Sequence, residues 1–198
     1  MKVSRFLRTT LLAALLCSAL AAQAAFYDFE SVALGTTTPF SLTDDGITAS
    51  FSSSPLAGSY EIADASDPGL LLTTLTGHIL VEPSITSSLL TISFDQPLGV
   101  FSTLFASSSD QPVELNAYSG ASLVGTVVVA GVSPGGGSYP EGQIGFAGAV
   151  FDRVTLQSQA DDEAIGIDNV SVQAVPEPAS MIALGAGAVA LLRRRRKA

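Results

Sequence analysis

Between Ala25 and Val175 the sequence offers seventeen Asp and Glu side chains, one histidine and no cysteine. That inventory bounds the chemistry. A Ser-His-Asp or Cys-His relay would have to use His78, and a transition-metal site with two histidines is ruled out. No nucleophile elbow is read from the chain. Paired carboxylates for glycoside hydrolysis can be drawn in many ways among seventeen acids, and nothing selects one pair. The expectation is therefore a protein that is not an enzyme. The acids that stand out do so by spacing. In "FYDFES" (26–31), strand geometry places Asp28 and Glu30 on one face, with Tyr27 and Phe29 on the other. Asp161-Asp162-Glu163 form a second, weaker cluster. His78 follows Gly77 and is expected to sit exposed at a strand start.

The charges are segregated. Arg153 alone opposes the seventeen acids of the central region, a net −16, whereas the whole chain stands at −9. The other eight cations lie near the ends: Lys2, Arg5 and Arg8, then Arg193 to Arg196 and Lys197. A region this acidic repels nucleic acid and anionic lipid and attracts divalent cations, so nucleic acid is not a partner. The first basic cluster precedes "LLAALLCSALAA", and Ala22-Gln23-Ala24 gives a small-x-small pattern. Residues 1–24 read as a secretory signal peptide, cut by signal peptidase between Ala24 and Ala25. Cys17 leaves with it, so the exported protein holds no disulfide.

The elements that must position the acids are short. Segments rich in Val, Ile, Leu, Thr and Phe alternate with Gly, Pro, Ser and Asp, and no helical period is sustained. Strands are expected at 26–31, 46–53, 69–75, 78–82, 89–94, 99–107, 112–119, 122–130, 149–158 and 164–173. Turns fall at Asp44-Asp45-Gly46 and Gly120-Ala121, and a long glycine-rich loop at 131–145. This spacing indicates an all-β, antiparallel β-sandwich over residues 25–174. In the last segment the apolar phase slips by one residue, from Ile165 and Ile167 to Val170 and Val172. A β-bulge at Asp168-Asn169 keeps both pairs in the core.

Phe29-Glu30 at the start and Ile167-Asp168-Asn169-Val170 at the end, together with the hairpin, glycine-rich loop and "FDRVTL" strand, resemble jelly-roll sandwiches of carbohydrate-binding modules. The resemblance implies adjacent first and last strands bridged by a structural Ca²⁺ on Glu30 and Asp168, a cation suited to oxygen ligands in flexible geometry. It also implies extracellular polysaccharide as a partner. The sequence has no tryptophan to stack on sugar rings, leaving Tyr60, Tyr118 and Tyr139.

The C-terminus reads "VPEPASMIALGAGAVALLRRRRKA". Residues 179–192 carry no charge and would span about 21 Å as a helix, short of the roughly twenty residues that cross a bilayer. They also lack the polar face of a domain helix. Pro176-Glu177-Pro178, the apolar run and the cluster Arg193, Arg194, Arg195 and Arg196 resemble the PEP-CTERM sorting signal. That resemblance implies export, a transient anchor in the inner membrane through a short helix at 179–192, a cytoplasmic stop at the arginines, and processing by an exosortase near 176–178. The destination is the cell surface or extracellular matrix. The expected protein is thus a sandwich flanked by an N-terminal signal helix and by a C-terminal sorting signal (175–198) that holds the apolar helix 179–192. It is a non-enzymatic surface or matrix component, with a glycan-binding module as the alternative and a secreted hydrolase third.

Overall fold

A computed structural model describes residues 23–55, 59–84, 88–135, 138–160 and 163–175. The expected signal peptide up to residue 22, Cys17, Asp161, Asp162 and the tail from Pro176 onward lie outside these residues. Within them the chain is all-β, and every strand pairing is antiparallel. The strands are β1 (Ala24–Tyr27), β2 (Phe40–Asp44), β3 (Ile47–Ser54), β4 (Glu61–Asp64), β5 (His78–Val81), β6 (Leu89–Ser107), β7 (Val113–Ser119), β8 (Ser122–Val129), β9 (Glu141–Ser158) and β10 (Ile165–Ala174).

Two long strands make the sandwich. β6 and β9 run along each other, and both leave one layer for the other midway. The first half of β6 pairs with β3 on one edge and with residues 153–156 of β9 on the other. Its second half pairs with β10 and with residues 141–147 of β9. One layer is therefore β2-β3-β6-β9-β7-β8. The other is β4-β5-β10-β6-β9, with β1 on the same edge of β10 as β5. The switch occurs where Pro97 interrupts the ladder, having no N–H to donate, and the register slips between Ser93 and Val100.

Alternation dictates what lies between the layers. Ile47, Ala49 and Phe51 of β3, Leu90 and Ile92 of β6, Val113, Leu115 and Ala117 of β7, and Ile165, Ile167, Val170 and Val172 of β10 are buried in one cluster. The layers meet directly. Tyr27 of β1 packs edge-on against Phe51 of β3 at 6.4 Å between ring centroids, and its hydroxyl donates to the Ile47 carbonyl at 2.8 Å. Burial pushes the Tyr27 phenol up to about 12, with Asp44 and Asp95 adding to the effect. A second, smaller core lies on the outward face of the β5 layer. There Ile79, Val81 and Ala106 are covered by Ala65, Leu70, Leu72 and Leu75 from the segment between β4 and β5.

The bulge in the last strand is where the slipped period places it: the register jumps between Asp168 and Ser171, and Asn169 has φ of 55°. The hairpin turns at Asp45-Gly46 and Gly120-Ala121 also stand as read. Several expectations are corrected. "FYDFES" is a strand only to Tyr27, and residues 28–31 turn away. Residues 69–75 form no strand, because their leucines cover a sheet face rather than join a ladder. Segments 89–94 and 99–107 are one strand. The glycine-rich loop ends at Pro140, since 141–145 belong to β9. Gly145 is there for clearance: a Cβ on it would stand 2.7 Å from the Phe101 carbonyl oxygen. Strands β2 and β4 were not anticipated.

Candidate metal centre

β1 pairs with β10 through Tyr27↔Val170, so the turn after β1 and the bulge in β10 are neighbours. Phe29 anchors the turn. Its ring is buried at 5.4 Å from that of Phe51, its φ is 60°, and its carbonyl accepts from Val32 N at 2.9 Å. A non-glycine residue in the left-handed region is held by its surroundings, here by the buried ring. Glu30 then projects toward the start of β5. Its Oε1 accepts from His78 N at 3.1 Å, and Glu30 N donates to Asp28 Oδ1 at 3.2 Å.

Asp168 is 2 % exposed. The bulge folds Asn169 back onto it: Asn169 N donates to Oδ1 at 2.7 Å and Asn169 Nδ2 to Oδ2 at 3.3 Å. The Thr76 amide donates to the same carboxylate, and Thr103 Oγ1 holds the Asp168 carbonyl at 2.8 Å. Burial nevertheless pushes the Asp168 carboxyl up to about 6, against these amide donors and with the charges of Glu30 and Asp28 adding to the rise. Expected site residues Glu30 and Asp168 are thus brought together, with Asp28 beside them. A buried acid whose charge is opposed by those of Glu30 and Asp28 is short of positive charge, and a hard dication would supply it. Among the described residues no three His, Cys, Asp or Glu side chains gather closely enough to hold a metal ion. A Ca²⁺ at Glu30 and Asp168 would complete its shell with backbone oxygens and water.

The segment between β4 and β5 is fastened to this centre. Thr76 binds Asp168, and His78 N binds Glu30. At its other end, Glu141 of β9 accepts from Thr73 N (2.7 Å), Thr73 Oγ1 (2.6 Å) and Thr74 N (2.8 Å). Burial pulls the Glu141 carboxyl up, but these bonds outweigh it and leave it below the usual range. Neither Thr76 nor Glu141 was singled out by sequence. His78 is half-buried rather than exposed, with Nδ1 2.9 Å from the Val32 carbonyl.

Two other expectations change. Gly131-Val132-Ser133-Pro134-Gly135 does spell G-x-S-x-G, the pattern of a nucleophile elbow. The Ser133 hydroxyl donates to the Ser138 carbonyl at 2.7 Å, and among the described residues no helix follows it, so the strand–turn–helix context of a nucleophile elbow is missing. Tyr60 is no sugar platform, since it is fully buried with its hydroxyl 3.0 Å from the Ser88 carbonyl.

The chain resembles several solved β-proteins. A fucose-binding module from Streptococcus pneumoniae is 12 % identical, with a TM-score of 0.37 over 48 % of this chain and 70 % of that one. A cleaved adhesin domain of Lys-gingipain from Porphyromonas gingivalis is 11 % identical, with 0.45 over 77 % and 98 %. The catalytic domain of a GH87 α-1,3-glucanase in complex with nigerose is 13 % identical, with 0.42 over 79 % of this chain and 29 % of that one. At these scores none transfers a function to this chain. No curated protein matches the sequence. The C-terminal end is different in kind: residues 174–197 match the family model of the PEP-CTERM protein-sorting motif, so the chain carries the sorting signal of an exported, exosortase-processed protein.

Proposed function

We propose that residues 25–174 are the delivered module of a non-enzymatic component of the cell surface or extracellular matrix. The carrying observation is a boundary: the sorting motif begins at Ala174, the last residue of β10, so processing just beyond it releases the sandwich intact. The Ser133 hydroxyl and His78 Nδ1 bind separate carbonyl groups. A structural Ca²⁺ on Glu30 and Asp168 would tie the two ends of the module together and neutralise its buried acid.

Mass spectrometry of protein from the envelope and the medium tests the sorting reading. Mature protein should end near Pro176 to Pro178 and lack the Arg193–Arg196 peptide. Tails that persist intact throughout the mature pool would refute it.

A further inference from the structure

Arg153 is the single cation among seventeen acids between Ala25 and Val175. Among the described residues its guanidinium makes no ion pair or hydrogen bond; it lies over the Tyr118 ring, 4.6 Å from the centroid. Its setting is the outward face of the β2-β3-β6-β9-β7-β8 layer. There the ladder aligns Ser41, Ser50, Ser93, Arg153 and Tyr118 in one row across five strands. The neighbouring row is Ser52, Thr91, Thr155, Asn116 and Thr126, of which Thr155 is itself buried and the other four are accessible. At about 4.8 Å between strands each row is roughly 19 Å long. Neither row contains a carboxylate; Glu114, next to the second row on β7, accepts from Asn116 Nδ2 at 2.6 Å. Cross-strand bonds hold the side chains in place, with Ser41 and Ser50 hydroxyls 2.9 Å apart and Thr126 Oγ1 donating to Asn116 Oδ1 at 2.5 Å. Beside Arg153 the face dips into a depression of about 420 Å³, lined by the polar residues Ser93, Asp95, Gln96 and Asp152 and by Phe94, Pro97 and Gly120. Asp95 and Asp152 already accept from the amides of Thr48 and Gly120.

We propose that this face binds a neutral, polyhydroxylated chain, with one sugar-type ring seated in the depression against Arg153 and the chain following the hydroxyl rows. Hydroxyl groups both donate and accept, which matches Ser, Thr and Asn side chains. The guanidinium adds charge-assisted donors at one point. Asp95, Asp152 and the acidic surroundings exclude a polyanion. The rows offer no apolar patch to a hydrophobic partner. The inference rests on the proposed reading only in treating the module as a binder rather than a hydrolase.

Isothermal titration of the full chain with cellohexaose, laminarihexaose and isomaltohexaose tests it, with an alginate hexamer as the anionic arm and reducing ends measured throughout. At least one neutral hexaose should bind. Arg153→Gln should weaken that binding at least tenfold, and Ser50→Asp, on an exposed position, about fivefold, both with unchanged melting. Absence of binding to all three neutral probes, equal binding by Arg153→Gln, or preference for alginate would overturn the site. New reducing ends with wild type but not with Arg153→Gln would keep the site and refute the non-enzymatic reading instead.

Discussion

Oε1 of Glu30 lies 1.7 Å from the point where a Cβ on residue 77 would stand, so this carboxylate fills the space that Gly77 leaves empty. The glycine also has φ of +68°, which an L side chain adopts at a penalty of about 1 kcal/mol. The two observations together make residue 77 part of the acid centre rather than of a passive loop.

Gly77→Ala should accordingly destabilise the protein by about 2–4 kcal/mol, combining backbone strain with displacement of Glu30. In a double-mutant cycle with Glu30→Ala, denaturant titration should show that removing the carboxylate restores part of the loss. Strictly additive effects would mean that the two residues do not interfere.

Calcium should raise the melting temperature and EDTA lower it, by several degrees, since a ligand that binds only the folded state stabilises it by mass action. Glu30→Ala and Asp168→Ala should each abolish the difference. A melt indifferent to EDTA in wild type removes the metal.

In EDTA the pH dependence follows from Asp168. Its folded-state value of about 6 lies above the ordinary 3.8, so the folded state takes up the proton first. Its contribution to stability is therefore largest below about pH 4 and declines as pH rises through 6. The melting temperature of wild type minus that of Asp168→Asn, scanned from pH 7 to 4.5, should increase on acidification. Asp64 and Glu141, both held below the usual range, act in the opposite direction and cancel in this difference. A flat or inverted difference contradicts the assignment. With saturating Ca²⁺ the sign should reverse, because protons then compete with the cation.

Glu141→Ala should leave the Thr73 and Thr74 donors without their carboxylate, at a cost of about 2–3 kcal/mol. Hydrogen exchange reads this locally: the amides of Thr73 and Thr74 should lose protection, while those of β7 and β8 keep theirs. Protection unchanged at both threonines would show that the carboxylate is not what holds the segment.

How much of this was legible follows from particular residues. The bulge at Asp168-Asn169 was legible because a slipped period of two has one remedy in a strand buried on both apolar pairs. The hairpins were legible from Asp-Gly and Gly-Ala turns. The run "GLLLTTL" misled, because an apolar segment that covers a sheet reads the same as one that joins it. β2 ("FSLTD") and β4 ("EIAD") escaped because they are short and half polar. Glycines 142 and 145 suggested a loop, although their neighbours, the Phe105 ring and the Phe101 carbonyl, demand clearance, not freedom. Glu30 and Asp168 could be paired because the resemblance linked the first and last strands. Thr76, Gly77 and Glu141 could not, since their partners lie 47 to 92 positions away and follow no period. The outward rows around Arg153 required the register itself.

The pairing of β1 with β10 also sets an order in time. Ala24 is the register partner of Gln173, and the signal-peptide cut expected between Ala24 and Ala25 falls inside β1. A peptidase needs that stretch extended and unpaired. A cut at that bond would let the first strand close on the last only after the signal peptide is released and β10 has emerged.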